Sequence, residues 1–329
     1  MTASILPVLL GTSIAFSNEG TFNAWYFVLA FFGGICMHIG ANVINDYFDY
    51  KGGSDNINVE FTRPFTGGSR MIQEGLMTPR GVVAEAMVFF AIGGLIGVYL
   101  AFETGYMILV LGIIGAFSGF FYSAPPVSLV NKGIGELFIG LNFGILMTLG
   151  GYYVQVQHLA WEPVLAAIPL GLMIANVLYI NEFPDYNADK EAGKKHLVVR
   201  LGKAKAARGH AVIMASAYVS IAIFVVFGWV SPYALVMFLT LPLAITSIRY
   251  SRDFYSDSFR IIPANASTIQ VHMIIGILMT LGYLLAASPQ DTWLIFLILV
   301  VVGGLLMFKI SEGLEKAREA PPPPAKTQA

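Results

Sequence analysis

Ten apolar segments, most of them near the length that crosses a bilayer, constrain the fold of this chain more than anything else in its sequence. They run from Ser4–Ser17 to Trp293–Phe308. In lipid every backbone N–H and C=O must be paired within the protein, so such segments become helices. Only 12% of the residues are charged and 56% are hydrophobic, against roughly 25% and 45–50% in a soluble domain. The expected fold is an all-α, polytopic membrane bundle. A net charge of −1 gives no electrostatic reason to expect nucleic acid as a partner. The one cysteine, Cys36, sits in an apolar run and allows no intrachain disulfide. The start, Met1–Phe16, lacks a basic leader region, so it reads as a short first membrane helix.

The basic residues orient the bundle. All 19 Lys and Arg follow the second, fourth, sixth, eighth or tenth segment. Cytoplasmic loops are the ones enriched in Lys and Arg, so that face and both termini are expected in the cytoplasm, with the protein in an inner or plasma membrane. Nine spans would put Lys309, Lys316, Arg318 and Lys326 on the opposite face, which favours ten. The expected organisation is a core over residues 1–290, an extra membrane helix over 291–310 and a disordered cytoplasmic tail over 311–329, ending EAPPPPAKTQA. No feature points to an obligate protein partner.

Two long loops on the basic face open with similar letters, NDYFDY at Asn45–Tyr50 and NEFPDY at Asn181–Tyr186. Four segments separate them, as expected of two related halves meeting at one site. Asn42, Asn45, Asp46 and Asp49 share a helical face, with His38 one turn deeper. Asp55 follows a Gly-Gly turn and can swing back. The second loop offers Asn181, Glu182, Asp185 and Asp189; Pro184 is expected to break the sixth helix, so that Asp185 starts a new turn. Carboxylates gathered at a membrane helix end are costly without a cation. Either cluster alone reads equally well as solvated acids, and the repeated motif argues against that. Oxygen ligands select a hard cation, and Mg²⁺ shares its shell readily with phosphate oxygens. Facing clusters therefore suggest a diphosphate bridged by Mg²⁺. Arg63, Arg70, Lys132, Lys194 and Arg200 are candidate anion contacts, with backbone N–H groups of Thr66–Arg70 beside them. After the fourth segment, Tyr122 and Ser123 precede Pro125–Pro126 and should face the mouth of the bundle, or else anchor it at the interface. Asn142, Gln155 and Asn176 read as interhelical hydrogen bonds, and Glu136 as a partner of Lys132.

The stretches NDYFDYKGGSD, RPFTGGSRMIQEG, YSAPP and NEFPDYNADKEAGKKHLVVRLG resemble the UbiA superfamily of intramembrane prenyltransferases. Within it they look most like the 1,4-dihydroxy-2-naphthoate prenyltransferases of menaquinone synthesis. The resemblance implies a nine-span bundle, here with a tenth helix, around a central cavity open sideways to lipid. A polyprenyl diphosphate would bind with its head group between the motifs. It implies Mg²⁺ held by Asn45, Asp46, Asp49, Asp185 and Asp189, whose carboxylates carry the catalysis, and diphosphate contacts or gating by Arg63, Tyr122, Ser123 and Lys132. His38, Asn42, Asp55 and Asn181 are candidate pocket residues for an aromatic acceptor. Other acceptors of the superfamily (hydroxybenzoate, homogentisate, chlorophyllide, haem, a glyceryl phosphate) stay open. An ion-coupled transporter is disfavoured because its carboxylates should lie at the midplane of broken helices. A CDP-alcohol phosphotransferase would need a longer DG…AR signature that the chain lacks.

Overall fold

Each of the ten apolar segments forms a helix. They are α1 (Thr2–Glu19), α2 (Ala24–Gly52), α3 (Pro79–Thr104), α4 (Met107–Phe120), α5 (Gly135–Val156), α6 (Trp161–Glu191), α7 (Lys203–Val226), α8 (Pro232–Phe254), α9 (Ile262–Ala286) and α10 (Pro289–Glu319). The structure, a computed structural model, describes residues 2–58, 68–287 and 289–319. Among the described residues there is no strand. Seven helices, α2, α3 and α5 to α9, are long and apolar enough to cross a membrane, and the chain is an integral membrane protein. α4 is shorter than its apolar segment: its 14 residues span about 21 Å. It is bounded by Gly105, whose φ of 112° ends α3, and by the turn at Phe121.

α1 lies against α5 and α9, α2 runs along α3, and α6 is central, touching α5, α7 and α9. Leu10, Ile14, Leu170, Met173, Ile275 and Met279 fill the core where these helices meet. The outer surface is also apolar, with Leu95, Phe102 and Val226 largely exposed, as lipid requires.

Two expectations are corrected. The tail expected from residue 311 is helical as far as Glu319. Its residues suit a helix: Lys316 Nζ meets Glu312 Oε1 one turn back at 2.6 Å, and the Tyr250 hydroxyl donates to the Leu314 carbonyl at 2.7 Å. Residues 320–329 lie outside the described residues. The second correction is that Pro184 does not break α6, which continues through it to Glu191. A proline inside a helix leaves the carbonyl four residues back without its usual N–H. That carbonyl belongs to Ile180, and Asn265 of α9 supplies the missing donor, its Nδ2 lying 3.0 Å away. The same Nδ2 donates to Asn181 Oδ1 at 2.9 Å. Asn181, Asp185 and Asp189 thus stay on one continuous helix, four residues apart. Asn265→Leu keeps the bulk and removes the donor. It is expected to cost about 1–3 kcal/mol in stability, read by thermal unfolding in detergent. A wild-type melting curve would show that α6 does not depend on this bond.

Candidate active site

The first acidic motif sits at the end of α2 because the chain cannot stay helical beyond it. Gly53 adopts φ 81°, a left-handed conformation open to glycine, and its N–H caps the Tyr50 carbonyl. Asn45, Asp46 and Asp49 lie in the last two turns. The second motif sits in the last turns of α6. Gly193, at φ 80°, turns the chain back, and the Lys194 N–H donates to the Asp189 carbonyl at 2.8 Å.

That reversal brings the motifs together. Lys194 Nζ lies 3.0 Å from Asp49 Oδ1 and 3.3 Å from Asp189 Oδ1, one ammonium between a carboxylate of each motif. Asn58 Nδ2, just after the first motif, donates to Asp185 Oδ1 at 2.7 Å. Asp46 Oδ1 faces the Ser69 N–H at 3.5 Å, a long contact. Asn45 Nδ2 donates to Ser123 Oγ. The residues named from the first motif, the second motif and the turn after α4 therefore form one constellation.

Other predicted residues sit further out. Lys132 is exposed on a short 3₁₀ turn, and Arg70 is partly buried at φ 57°. Arg200 turns away from the carboxylates to brace loops, its Nη2 donating to the Asn131 carbonyl at 2.9 Å. Arg63 and the side chain of Asp55 lie outside the described residues. Asn142, Gln155 and Asn176 bond across helices as expected: to Ser118, to the Asn23 backbone, and to His210.

Glu136 does not serve Lys132. It is buried, and its Oε1 accepts the Leu197 N–H at 2.8 Å. The loop from α6 to α7 needs that carboxylate because Leu197 opens a short helix, Leu197–Leu201, whose first N–H groups lack partners within it. Beside it lies His196, inside the second motif stretch but given no role by its spacing. It is 1% exposed, with Nε2 3.2 Å from Asp189 Oδ2 and Nδ1 3.0 Å from Glu182 Oε2. Burial pulls its pKa down, but hydrogen bonds to Asp189 and Glu182 outweigh this and hold it at about 10. The two carboxylates favour the protonated ring, and Nε2 holds Asp189 in place. The sequence signal for His196 is its place in the NEFPDYNADKEAGKKHLVVRLG stretch, in a basic, glycine-bounded loop four residues before Arg200. Burial first, then the carboxylates of Glu182, Glu136, Asp49 and Asp189, push the Tyr122 hydroxyl well above its usual value, so it stays a donor.

Beneath this polar cluster lies an apolar cavity of about 940 Å³. Asn45 and Tyr122 form its polar end, and His38, Asn42, Asn142 and Phe143 line it further in. A small polar cavity of about 90 Å³ adjoins it, lined by Asp49, Ser54, Ser123 and Lys194 among others. An anionic head and a long apolar tail would find matching surroundings side by side.

Residues 4–269 match the UbiA prenyltransferase family. A relative from Bacillus subtilis (strain 168) named 1,4-dihydroxy-2-naphthoate octaprenyltransferase is 27% identical over 289 residues, covering 87% of this chain and 89% of that protein. The fold is shared with a UbiA homolog from Aeropyrum pernix K1 (TM-score 0.62, 15% identity, 85% of this chain and 96% of that one). It is also shared with a UbiA homolog from Archaeoglobus fulgidus bound to DMAPP and Mg²⁺ (TM-score 0.53, 17% identity, 84% and 96%).

Proposed function

Since this chain belongs to the UbiA prenyltransferase family, and so is a membrane prenyltransferase, we propose that it moves a polyprenyl group from its diphosphate to 1,4-dihydroxy-2-naphthoate, giving the demethylmenaquinone skeleton. One observation carries the reading. An oxygen-rich cluster drawn from both motifs opens directly onto an apolar cavity, and Asn45 belongs to both. The naphthoate acceptor is supported by the Bacillus subtilis relative. The distribution of Lys and Arg supports a cytoplasmic site and cytoplasmic termini.

The donor set fits Mg²⁺. Asn45, Asp46, Asp49, Asp185 and Asp189 offer only oxygen, and the cation between Asp49 and Asp189 is the Lys194 ammonium, so positive charge already belongs there. Mg²⁺ would supply charge neutralisation for the departing diphosphate. Lys194 and Tyr122 offer donors to the same oxygens, and Arg70 and Lys132 extend the basic rim. Ser123 and Asn45 orient the head group at the cavity mouth. The apolar walls shelter the developing allylic cation from water. The ring carbon of the acceptor then closes the new C–C bond, and loss of the carboxylate restores aromaticity.

The test is to incubate membranes carrying the protein with labelled prenyl diphosphate, Mg²⁺ and a panel of acceptors. Labelled product is expected with 1,4-dihydroxy-2-naphthoate and not with hydroxybenzoate, homogentisate, chlorophyllide, haem or a glyceryl phosphate, and EDTA should stop it. Product from another acceptor would replace the naphthoate assignment. No product from any acceptor would overturn the transfer itself.

A further inference from the structure

We propose that His38 binds a ring hydroxyl of the aromatic acceptor and carries its proton during transfer. This deepens the prenyl-transfer reading above and rests on it. Among the described residues lining the apolar cavity, His38 is the only His, Lys, Arg, Asp or Glu. An imidazole in such walls is costly unless its ring nitrogens find hydrogen-bond partners. Two of the cavity's amides are engaged: Asn45 bonds Ser123, and Asn142 accepts from Ser118 Oγ at 2.9 Å. His38 has Nδ1 3.1 Å from Ser4 Oγ of α1, and its ring packs on Phe143 with centroids 4.5 Å apart. These two contacts fix the ring. If Ser4 Oγ accepts from Nδ1–H, the tautomer leaves Nε2 as an acceptor.

The position suits the reaction. His38 and Asn45 share one face of α2, seven residues and two turns apart, a rise of about 10 Å. That spacing accommodates the allylic carbon below the diphosphate and then a bicyclic ring, whose hydroxyl reaches His38. The chemistry needs a base at that point. A hydroxyarene attacks an allylic carbon more readily as its O–H proton departs. As the C–C bond forms at the carbon bearing the carboxylate, the allylic C–O bond breaks and diphosphate leaves with the electron pair. The hydroxyl proton passes to His38 Nε2, leaving a ring ketone beside the carboxylate. Carbon dioxide then departs, its bonding pair reforms the aromatic ring, and Nε2 returns the proton to the ketone oxygen. The product is the quinol, so no oxidant is required.

The experiment compares wild type, His38→Gln, His38→Phe and Ser4→Ala in membranes, using geranyl diphosphate and 1,4-dihydroxy-2-naphthoate. Glutamine can hold a hydroxyl but cannot shuttle its proton. His38→Gln should therefore lower kcat by about 100-fold or more, with KM for geranyl diphosphate within about threefold of wild type. His38→Phe should also raise KM for the naphthoate. Ser4→Ala keeps the imidazole and should lose less than about tenfold. A His38→Gln enzyme keeping more than about a third of wild-type kcat overturns the proposal. So does an equal fall in His38→Gln and Ser4→Ala with KM for geranyl diphosphate raised in both, which marks His38 as a brace between α1 and α2. Wild type that uses a different hydroxyarene changes only the acceptor, and the same comparison is then made with it. Wild type that prenylates no hydroxyarene overturns both readings.

Discussion

Asp49→Ala should lose prenyl transfer by about 1,000-fold or more, while the protein still inserts and folds. Asp49 is the carboxylate of α2 that faces the second motif most directly, through Lys194 Nζ at 3.0 Å. Removing it leaves Lys194 on Asp189 at 3.3 Å and His196 on Asp189 and Glu182, so the α6 side of the site keeps its partners. The fold is therefore not at stake. On the proposed function, what disappears is an oxygen ligand at the point where the leaving group's charge must be met. Fixed charges at such a point are typically worth a hundred- to a thousandfold in rate, and loss of a metal ligand adds to that. Asp49→Asn separates the two contributions, because it keeps an oxygen donor and removes the charge. Asp185→Ala, on the facing helix, should fall as far. The measurement is initial-rate transfer of labelled prenyl diphosphate across a Mg²⁺ titration, with thermal unfolding as the control for folding. Full activity of Asp49→Ala at saturating Mg²⁺ would remove the diphosphate assignment for this cluster.

Much of this site was legible because its chemistry is written locally. Asn45, Asp46 and Asp49 fall on one face of a helix by spacing alone, and the structure places them so. The echo between Asn45–Tyr50 and Asn181–Tyr186, with charge parity, predicted that the two motifs meet, and Lys194 joins them. What escaped was long-range. Pro184 reads as a helix breaker from its neighbours, and the donor that keeps α6 intact comes from Asn265, more than 80 residues away. From its neighbours Glu136 pairs with Lys132, four residues before it, yet it caps Leu197, 61 positions on. His196 lies in the second motif stretch, yet its spacing gives it no role, and its significance appears only once the turn at Gly193 folds it against Asp189. Local periodicity predicts which face a side chain occupies. It does not predict which distant backbone group will need that side chain.

The same limit applies to glycines, where the consequence for the site is large. Gly144 lies in a π-helical stretch of α5, Leu141–Leu146, facing Gly171 of α6. A Cβ on Gly144 would sit 2.4 Å from the Gly171 Cα and 2.8 Å from its nitrogen; one on Gly171 would sit 2.6 Å from the Gly140 carbonyl oxygen. These are backbone atoms and cannot rotate aside, so the helices must separate. Gly94 on α3 has nothing within 4 Å of its Cβ position. The same chemical change therefore has opposite expectations at the two sites. Gly94→Ala should be neutral, or stabilise by up to about 1 kcal/mol through helix propensity. Gly144→Ala should destabilise by about 3 kcal/mol through overpacking, and Gly144→Leu should leave little folded protein. Activity should fall with it, because α5 carries Glu136 and α6 carries Asp185 and Asp189, and parting the helices moves both sides of the cluster. Thermal unfolding of the two alanine variants in one detergent measures the contrast. Equal melting temperatures for Gly144→Ala and Gly94→Ala would mean that α5 and α6 do not meet backbone to backbone.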